Sequence, residues 1–212
     1  MSGPGERLLA EFAGTALLLA VVAGSGIMGD KLAGGNAAVA LLGNSIATGA
    51  ALYVLVTVLG PVSGAHFNPV VSVTFWRTGE LSAALCAAYI AAQTGGGIAG
   101  VWMAHAMFDL PILQFSATAR TGAAQWFSEL IATGVLLATI HLGLRHARHH
   151  VPLLVALIVT AGYWFTSSTF FANPAVTLAR ALTNTFAGIR PEDVAGLDRK
   201  STRLNFSHVS ES

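Results

Sequence analysis

The sequence predicts an all-α membrane protein, built as an inverted repeat of spanning helices with two re-entrant half-helices. Of its 212 residues, 54% are hydrophobic and only 10% are charged, whereas soluble domains carry about 25% charged residues. Long apolar segments follow one another along the chain, and two Asn-Pro elements interrupt them at corresponding places. This composition excludes an ordinary soluble domain, and a net charge of +1 provides no basic field for nucleic acid.

Five apolar segments predict membrane-crossing helices, because about 20 apolar residues are needed to cross the hydrocarbon core. All are rich in small residues, including Gly96 and Gly100, which allow helix backbones to approach closely in lipid. The first segment carries Glu11 and exceeds the about 7–15 apolar residues of a cleavable signal peptide. The segments are Leu8–Met28, Ala37–Leu59, Leu81–Phe108, Gln125–Leu144 and Val151–Phe165.

Two Asn-Pro pairs, Asn68-Pro69 and Asn173-Pro174, predict half-length helices. Asparagine is a favoured N-cap because its side chain accepts the free N–H groups of the first turn, and proline is favoured at the first helical position. About ten residues follow each pair, which is about 15 Å of helix or half a bilayer. The predicted half-helices are 68–78 and 173–184.

A repeated motif predicts the order of the elements. Glu11-xxx-Thr15-xx-Leu18-Leu19-Ala20 recurs as Glu129-xxx-Thr133-xx-Leu136-Leu137-Ala138. Three spans form an odd number, so a second unit of the same kind enters from the opposite side, as in an inverted repeat. The predicted units are 6–108, with three spans and a half-helix, and 125–189, with two spans and a half-helix.

The sixth transmembrane helix is expected to be absent from this chain. A polar tail is predicted at 190–212, and from about residue 198 the composition changes abruptly. We interpret 198–212 as a non-native tail, with a genuine disordered terminus as the alternative.

Two half-helices inside a membrane indicate a water-lined path, since irregular backbone survives there only when protein buries it or water fills a cavity. The positive ends of both helices would face each other at the centre. Each asparagine could cap its helix and still offer an amide N–H to a neutral solute, while cations and protons meet two positive helix ends. The alternative, two surface turns, does not explain why the pair recurs in both units.

The segments Gly64-Ala65-His66-Phe67-Asn68-Pro69 and Phe171-Ala172-Asn173-Pro174-Ala175 resemble the paired Asn-Pro-Ala boxes of the aquaporin, or major intrinsic protein, family. The resemblance covers about residues 6–190. It implies an aquaporin-like right-handed helical bundle, usually with four pores per assembly. Members of the family pass water and, in some branches, glycerol or neutral metalloid hydroxides such as arsenite.

The resemblance also implies roles for individual residues. Glu11 and Glu129 would brace the loop backbones, with a proton relay as the alternative that the symmetry between the units disfavours. Gly64, Ala65 and His66 would offer backbone carbonyls to the pore. The pore centre would be formed by Asn68, Pro69, Val70, Asn173, Pro174 and Ala175.

Departures from the family pattern concern the selectivity filter. Val176 stands where the family usually carries an arginine, so the chain is similar to a bacterial-type member that lacks the filter arginine. The resemblance places Thr48, Ala161, Phe170 and Val176 in the filter, with Ala161 assigned by ungapped counting. Without a cation there, we expect a wider mouth that admits glycerol-like polyols or neutral metalloid acids such as arsenite. We also expect weaker exclusion of cations, with the helix dipoles as the main barrier.

The predicted function is therefore a passive transmembrane channel for water and small uncharged solutes. A coupled secondary transporter is the alternative, because such proteins also use inverted repeats and broken helices, and a non-conducting truncated fragment is another. No nucleophile–base pair or metal signature is recognised, so neither an enzyme, a cofactor nor a metal site is expected. We interpret the histidines of 145–150 as part of a solvated loop, with a metal or pH-gating site as the alternative.

The expected partners are water, small neutral solutes, the lipid bilayer and further copies of the chain in a homotetramer, without nucleic acid. The expected location is the cell membrane as a multi-pass protein, most simply a bacterial inner membrane. Charge does not orient the chain under the positive-inside rule, and a cytoplasmic N-terminus comes from the resemblance alone.

Overall fold

The computed structural model describes residues 2–196, and every regular element within them is helical. The all-α prediction is therefore confirmed for this part of the chain. A short 3₁₀ turn occupies 148–150, and a further helical turn occupies 191–196. The helices are α1 (Pro4–Leu32), α2 (Ala37–Ser63), α3 (Pro69–Arg77), α4 (Ala83–Met107), α5 (Ala123–His146), α6 (Val151–Phe165) and α7 (Pro174–Arg180).

Four of these helices, α1, α2, α4 and α5, are long and apolar enough to cross a membrane. Helices α1 and α5 extend past the predicted bounds at both ends, and polar residues such as Glu6 and Lys31 continue α1 beyond its apolar stretch. Helix α2 extends past its predicted bounds at the C-terminal end only, and α4 lies within its predicted bounds. Helix α6 has the predicted bounds but only 15 residues, or about 22 Å of helix. It is therefore shorter than the about 30 Å of a hydrocarbon core.

The distribution of polar and apolar side chains is the reverse of that in a water-soluble protein. Leu9 is 67% exposed and Phe127 is 62% exposed, whereas Glu11, Gln93 and His105 are fully buried. Charged residues are almost never fully buried in soluble proteins unless they are paired. An apolar exterior around a polar interior is what a bundle embedded in lipid requires.

Helix α4 packs directly against the backbone of α1 at two glycines. A Cβ atom at Gly96 would lie 2.3 Å from the carbonyl oxygen of Phe12, and one at Gly100 would lie 2.0 Å from that of Ala16. Any side chain at either position would overlap α1, so only glycine permits this spacing. The pair forms the close contact that the small-residue pattern predicts.

Both half-helices begin at their Asn-Pro pairs, as predicted. The side-chain oxygen of Asn68 accepts a hydrogen bond from Val70 N at 2.9 Å, and that of Asn173 accepts one from Ala175 N at 3.1 Å. Helix α7 ends at Arg180, so the prediction that it continues to residue 184 is wrong. The chain folds back there, and Ile189 N donates to the carbonyl of Arg180 at 3.2 Å.

The boundary predicted at residue 190 is not a structural boundary. Arg190 N donates to Thr118 O at 2.8 Å, and Asp193 Oδ2 accepts from Arg120 N at 2.9 Å. Segment 190–196 is therefore docked on the loop between α4 and α5. The predicted foreign tail from about residue 198 lies outside the described residues.

The two predicted units have matching orders of elements. Helices α1, α2 and α3 of the first are matched by α5, α6 and α7 of the second. Within residues 2–196, no helix after α7 is long enough to span a membrane.

Candidate functional site

The tips of α3 and α7 meet through a reciprocal pair of hydrogen bonds. Asn68 Nδ2 donates to Ala172 O at 2.7 Å, and Asn173 Nδ2 donates to Phe67 O at 2.8 Å. A primary amide carries two N–H donors, so each asparagine retains one. Both asparagines line the same cavity, where the remaining donors are available to a solute oxygen.

The loops before the two asparagines repeat each other in backbone conformation. Phe67 and Ala172, directly before each asparagine, have φ values of 47° and 45°. Ala65 and Phe170, three residues before, have φ values of 49° and 56°. Left-handed backbone at a residue other than glycine costs about 1–3 kcal/mol and persists only when surrounding contacts hold it.

Two buried glutamates make those contacts. Glu11 accepts hydrogen bonds from His66 N at 2.9 Å and Phe67 N at 2.8 Å. Glu129 accepts from Phe171 N at 2.9 Å and from Ala172 N at 2.6 Å. Hydrogen bonds to a carboxylate are about twice as strong as neutral ones, so each pair offsets loop strain. This geometry supports the bracing role for both residues.

The first glutamate is held by a larger network than the second. Ser63 Oγ donates to Glu11 Oε1 at 2.6 Å, and Gln93 Nε2 donates to Oε2 at 2.8 Å. Together with the two backbone N–H groups, these donors saturate the carboxylate. Gln93 Nε2 also donates to Ser72 Oγ of α3 at 2.9 Å. The network ties α1, α2, α3 and α4 together behind the first loop.

A cavity of about 220 Å³ runs past both tips. One end, which we call the Glu80 end, is lined by Gly64, Ala65, His66 and Glu80; the other, the Arg180 end, is lined by Phe170, Phe171, Val176 and Arg180. Asn68, Asn173 and Thr48 also border the cavity, whereas Pro69, Val70, Pro174 and Ala175 do not. Those four residues start the half-helices behind the tips, and Val71 and Phe75 line the cavity from α3.

The assignment of Ala161 to the constriction is not supported by the structure. Ala161 is exposed, and Tyr163 lines the cavity instead. The hydroxyl oxygen of Tyr163 lies 3.2 Å from Thr48 Oγ1. Two positions along a helix turn the side chain by about 200°, so counting without gaps chose the lipid face of α6 in place of the cavity face.

A buried arginine that the sequence reasoning missed lies at one end of the cavity. Arg180 is 2% exposed and lines the cavity. Its guanidinium carbon lies 3.6 Å from the centroid of the Phe171 ring, and its Nε donates to Ala187 O. Its spacing of four residues from Val176, one helical turn, was the signal that could have found it. The expectation that the helix dipoles form the main barrier to cations did not include this charge.

A second guanidinium faces the same aromatic ring. The Arg120 guanidinium carbon lies 5.4 Å from the Phe171 centroid, and Arg120 donates to Gly188 O at 2.8 Å and Phe186 O at 3.3 Å. Burial lowers the pKa of Arg120 from its ordinary value, although Tyr163 and Glu129 oppose this shift. Two arginines thus surround Phe171 at the Arg180 end.

The Glu80 end carries stacked rings. His66 stacks on Phe75 at a centroid distance of 4.6 Å, and Phe75 stacks on His141 at 5.3 Å. His146, His149 and His150 are exposed. Within residues 2–196, no three His, Cys, Asp or Glu side chains are grouped so that they could hold a metal ion.

A family model described as "Major intrinsic protein" matches residues 5–187. The aquaglyceroporin AqpS of Rhizobium meliloti (strain 1021) is 59% identical over 191 residues, which cover 90% of this chain and 82% of that protein. A probable aquaporin, PIP2-8 of Arabidopsis thaliana, is 32% identical over 162 residues, covering 72% and 58%. The chain therefore spans little more than half the length of the plant relative.

The fold is also similar to a solved structure. The X-ray structure of the aquaglyceroporin from Plasmodium falciparum matches with a TM-score of 0.68 and 23% identity, over 84% of this chain and 79% of that one. At this identity, the match supports the arrangement of helices alone.

Proposed function

The chain belongs to the major intrinsic protein family, and from this premise we propose that it is a passive membrane channel for water and small uncharged solutes such as glycerol. The observation that carries the proposal is the reciprocal bonding of Asn68 and Asn173 beside a continuous cavity. Each asparagine keeps one N–H donor for a passing oxygen. A site of neutral donors suits polyols and water better than ions.

The solute class follows from the constriction. Thr48, Tyr163, Phe170 and Val176 line the Arg180 half of the cavity with two hydroxyls and two apolar side chains. A small apolar residue at 176 leaves space for a solute bulkier than water. Glycerol-like polyols and neutral metalloid acids such as arsenite match this mixed lining, and the similarity to the aquaglyceroporin AqpS supports glycerol as a solute.

The surroundings of the channel belong to the same proposal. The two units, 6–108 and 125–189, would each supply half of the pore. The channel would be a homotetramer in a bacterial inner membrane, with its N-terminus in the cytoplasm. Light scattering after size-exclusion chromatography in detergent would test the assembly, and a particle with the protein mass of one chain would contradict it.

Stopped-flow light scattering on proteoliposomes that contain the full-length chain would test the channel. We expect glycerol and arsenite to enter about tenfold faster than in protein-free vesicles, a rate ratio equivalent to about 1.4 kcal/mol. Val176→Trp should block this flux, because the indole would fill the cavity. Ala161→Trp is the matched control and should conduct normally, because Ala161 is exposed.

Three results would contradict the proposal. A channel that passes water but excludes both glycerol and arsenite would contradict the proposed class of solute. Equal block by Ala161→Trp and Val176→Trp would show that solutes do not pass through the cavity. Complete absence of flux from a folded wild type would favour the non-conducting alternative.

A further inference from the structure

We propose that Arg180 supplies the fixed positive charge that excludes cations from this conduit, one helical turn from the position where Val176 stands. The proposal rests on the channel function above and names the residue that sets its charge selectivity. It reverses the expectation, drawn from Val176, that cation exclusion depends mainly on the helix ends.

Arg180 faces the same side of α7 as Val176. Residues four apart on a helix are neighbours on one face, separated by about 6 Å along the axis. Both side chains line the cavity. A solute that passes Val176 therefore also passes close to the guanidinium.

The guanidinium is held in place. It lies over the Phe171 ring with 3.6 Å between its central carbon and the ring centroid, and its Nε donates to the carbonyl of Ala187. Phe171 is itself fixed, because its N–H donates to Glu129 at 2.9 Å. An arginine remains protonated in proteins, so this is a permanent charge at a defined point.

No close carboxylate neutralises that charge within residues 2–196. The ion pairs there join Arg190 to Glu192 and to Asp193. Glu129 interacts electrostatically with Arg180, but its two oxygens accept the N–H groups of the loop.

Arg120 adds a second positive charge on the Phe171 ring. Because buried charges are screened much less than exposed ones, the Arg180 end repels a bare or partly dehydrated cation. Neutral polyols experience no such repulsion and can accept hydrogen bonds from the guanidinium.

The test measures two quantities on each variant of the full-length chain: glycerol entry by stopped-flow scattering, and Na⁺ or K⁺ conductance across planar bilayers. Arg180→Gln and Arg180→Met remove the charge, and Met also retains length against Phe171. Arg180→Lys retains the charge. Arg190→Gln is the matched control, because it removes a cation near the same end that does not line the cavity.

We expect Arg180→Gln and Arg180→Met to raise cation conductance about tenfold or more, the lower limit of the effect of focused electrostatic fields on ion concentration. Glycerol flux should change less than the conductance. Arg180→Lys and Arg190→Gln should keep conductance at the wild-type level. In Arg180→Gln, a second change of Val176→Arg should restore exclusion by placing the charge one turn away.

Unchanged cation conductance in charge-removing variants that still pass glycerol would overturn the proposal. Loss of glycerol flux in both variants would also overturn it, because Arg180 would then have a structural role alone. A wild type that passes no glycerol would contradict the channel function instead, so the two failures are distinguishable.

Discussion

At the scale of single residues, the two glutamates that brace the loops differ in the number of hydrogen bonds that they accept. Glu11 accepts from Ser63, His66, Phe67 and Gln93, whereas Glu129 accepts from the backbone of Phe171 and Ala172. In Glu11→Gln or Glu129→Gln, the side-chain amide would replace one acceptor oxygen by an NH₂ donor that faces backbone N–H groups. The loss therefore exceeds that of one ordinary hydrogen bond, because buried donors remain unsatisfied.

We expect Glu11→Gln to lower the melting temperature in detergent more than Glu129→Gln, and both to reduce glycerol flux. Each buried donor left unsatisfied costs about 1–3 kcal/mol. Tryptophan fluorescence during heating would report the unfolding. Glu6→Gln is the control, because its bond to Gly3 N is exposed. Equal stability of Glu11→Gln and the wild type would refute the bracing role.

Val176 lines the cavity one turn before Arg180. Val176→Arg would place two guanidiniums on one face of α7 and fill the space beside Phe170. We expect glycerol flux to fall about tenfold, which corresponds to about 1.4 kcal/mol in the barrier, and water flux to fall less. Val176→Ile keeps the apolar lining and serves as the control. Unaltered glycerol flux in Val176→Arg would show that position 176 does not limit passage.

At the scale of elements, the contact between α1 and α4 depends on glycine. A Cβ atom at Gly100 would lie 2.0 Å from Ala16 O, whereas one at Gly95 would lie 3.6 Å from the Phe12 ring. We expect Gly100→Ala to lower the melting temperature, since overpacking costs about 1–3 kcal/mol, and Gly95→Ala to have little effect. Thermal unfolding of both variants in one detergent would check this. Similar losses for the two would argue against a specific backbone contact.

Asp193 holds the segment after α7 against the loop between α4 and α5. Burial opposes ionisation of this carboxyl, but hydrogen bonds from Arg190 and from Arg120 N outweigh it, so the pKa of Asp193 lies below its ordinary 3.8. A lowered folded pKa contributes stability above pH 3.8, and this is lost as pH falls through the folded value.

We therefore expect Asp193→Asn to have a lower melting temperature than the wild type at pH 6. This difference should narrow as the pH falls below about 3.8. Melting temperatures of both proteins across this range would measure the gap. Glu192→Gln is the control, because Glu192 is exposed and 3.7 Å from Arg190. A gap that is constant down to pH 3 would exclude ionisation of Asp193 as its source.

The starts of helices were easier to predict from the sequence than their ends and rotations. Asn-Pro fixes the start of α3 and α7 because capping is local. The end of α7 depends on the return of the chain to Arg180 O through Ile189, a tertiary contact without a local signal. The rotation of α6, which decides between Ala161 and Tyr163, depends on packing against α2.

At the scale of the whole molecule, a channel and a coupled transporter differ in their response to a gradient. Asn68 and Asn173 are neutral, and the network of Glu11 is saturated by donors. We expect glycerol flux to be the same with and without an imposed proton gradient, and linear in glycerol concentration. Stopped-flow traces with and without a protonophore would check this. Saturable, gradient-driven uptake would favour the transporter.

The recurrence of the glutamate motif and of Asn-Pro made the site predictable at its centre. Both asparagines and both glutamates lie where the twofold pattern required. Arg180 was missed because it belongs to one unit only, and a search for repetition does not detect such a residue. The fold buries it against the Phe171 ring.

The exchange of hydrogen bonds between Asn68 and Ala172, and between Asn173 and Phe67, also constrains biogenesis. While the ribosome has released only the first unit, the Phe67 carbonyl and the Asn68 amide have no counterpart in the bilayer. Since unpaired polar groups in hydrocarbon are costly, the first re-entrant loop should stay hydrated or held by the insertion machinery until residue 173 is made. We therefore expect both loops to reach their final positions together, after the second unit has been made.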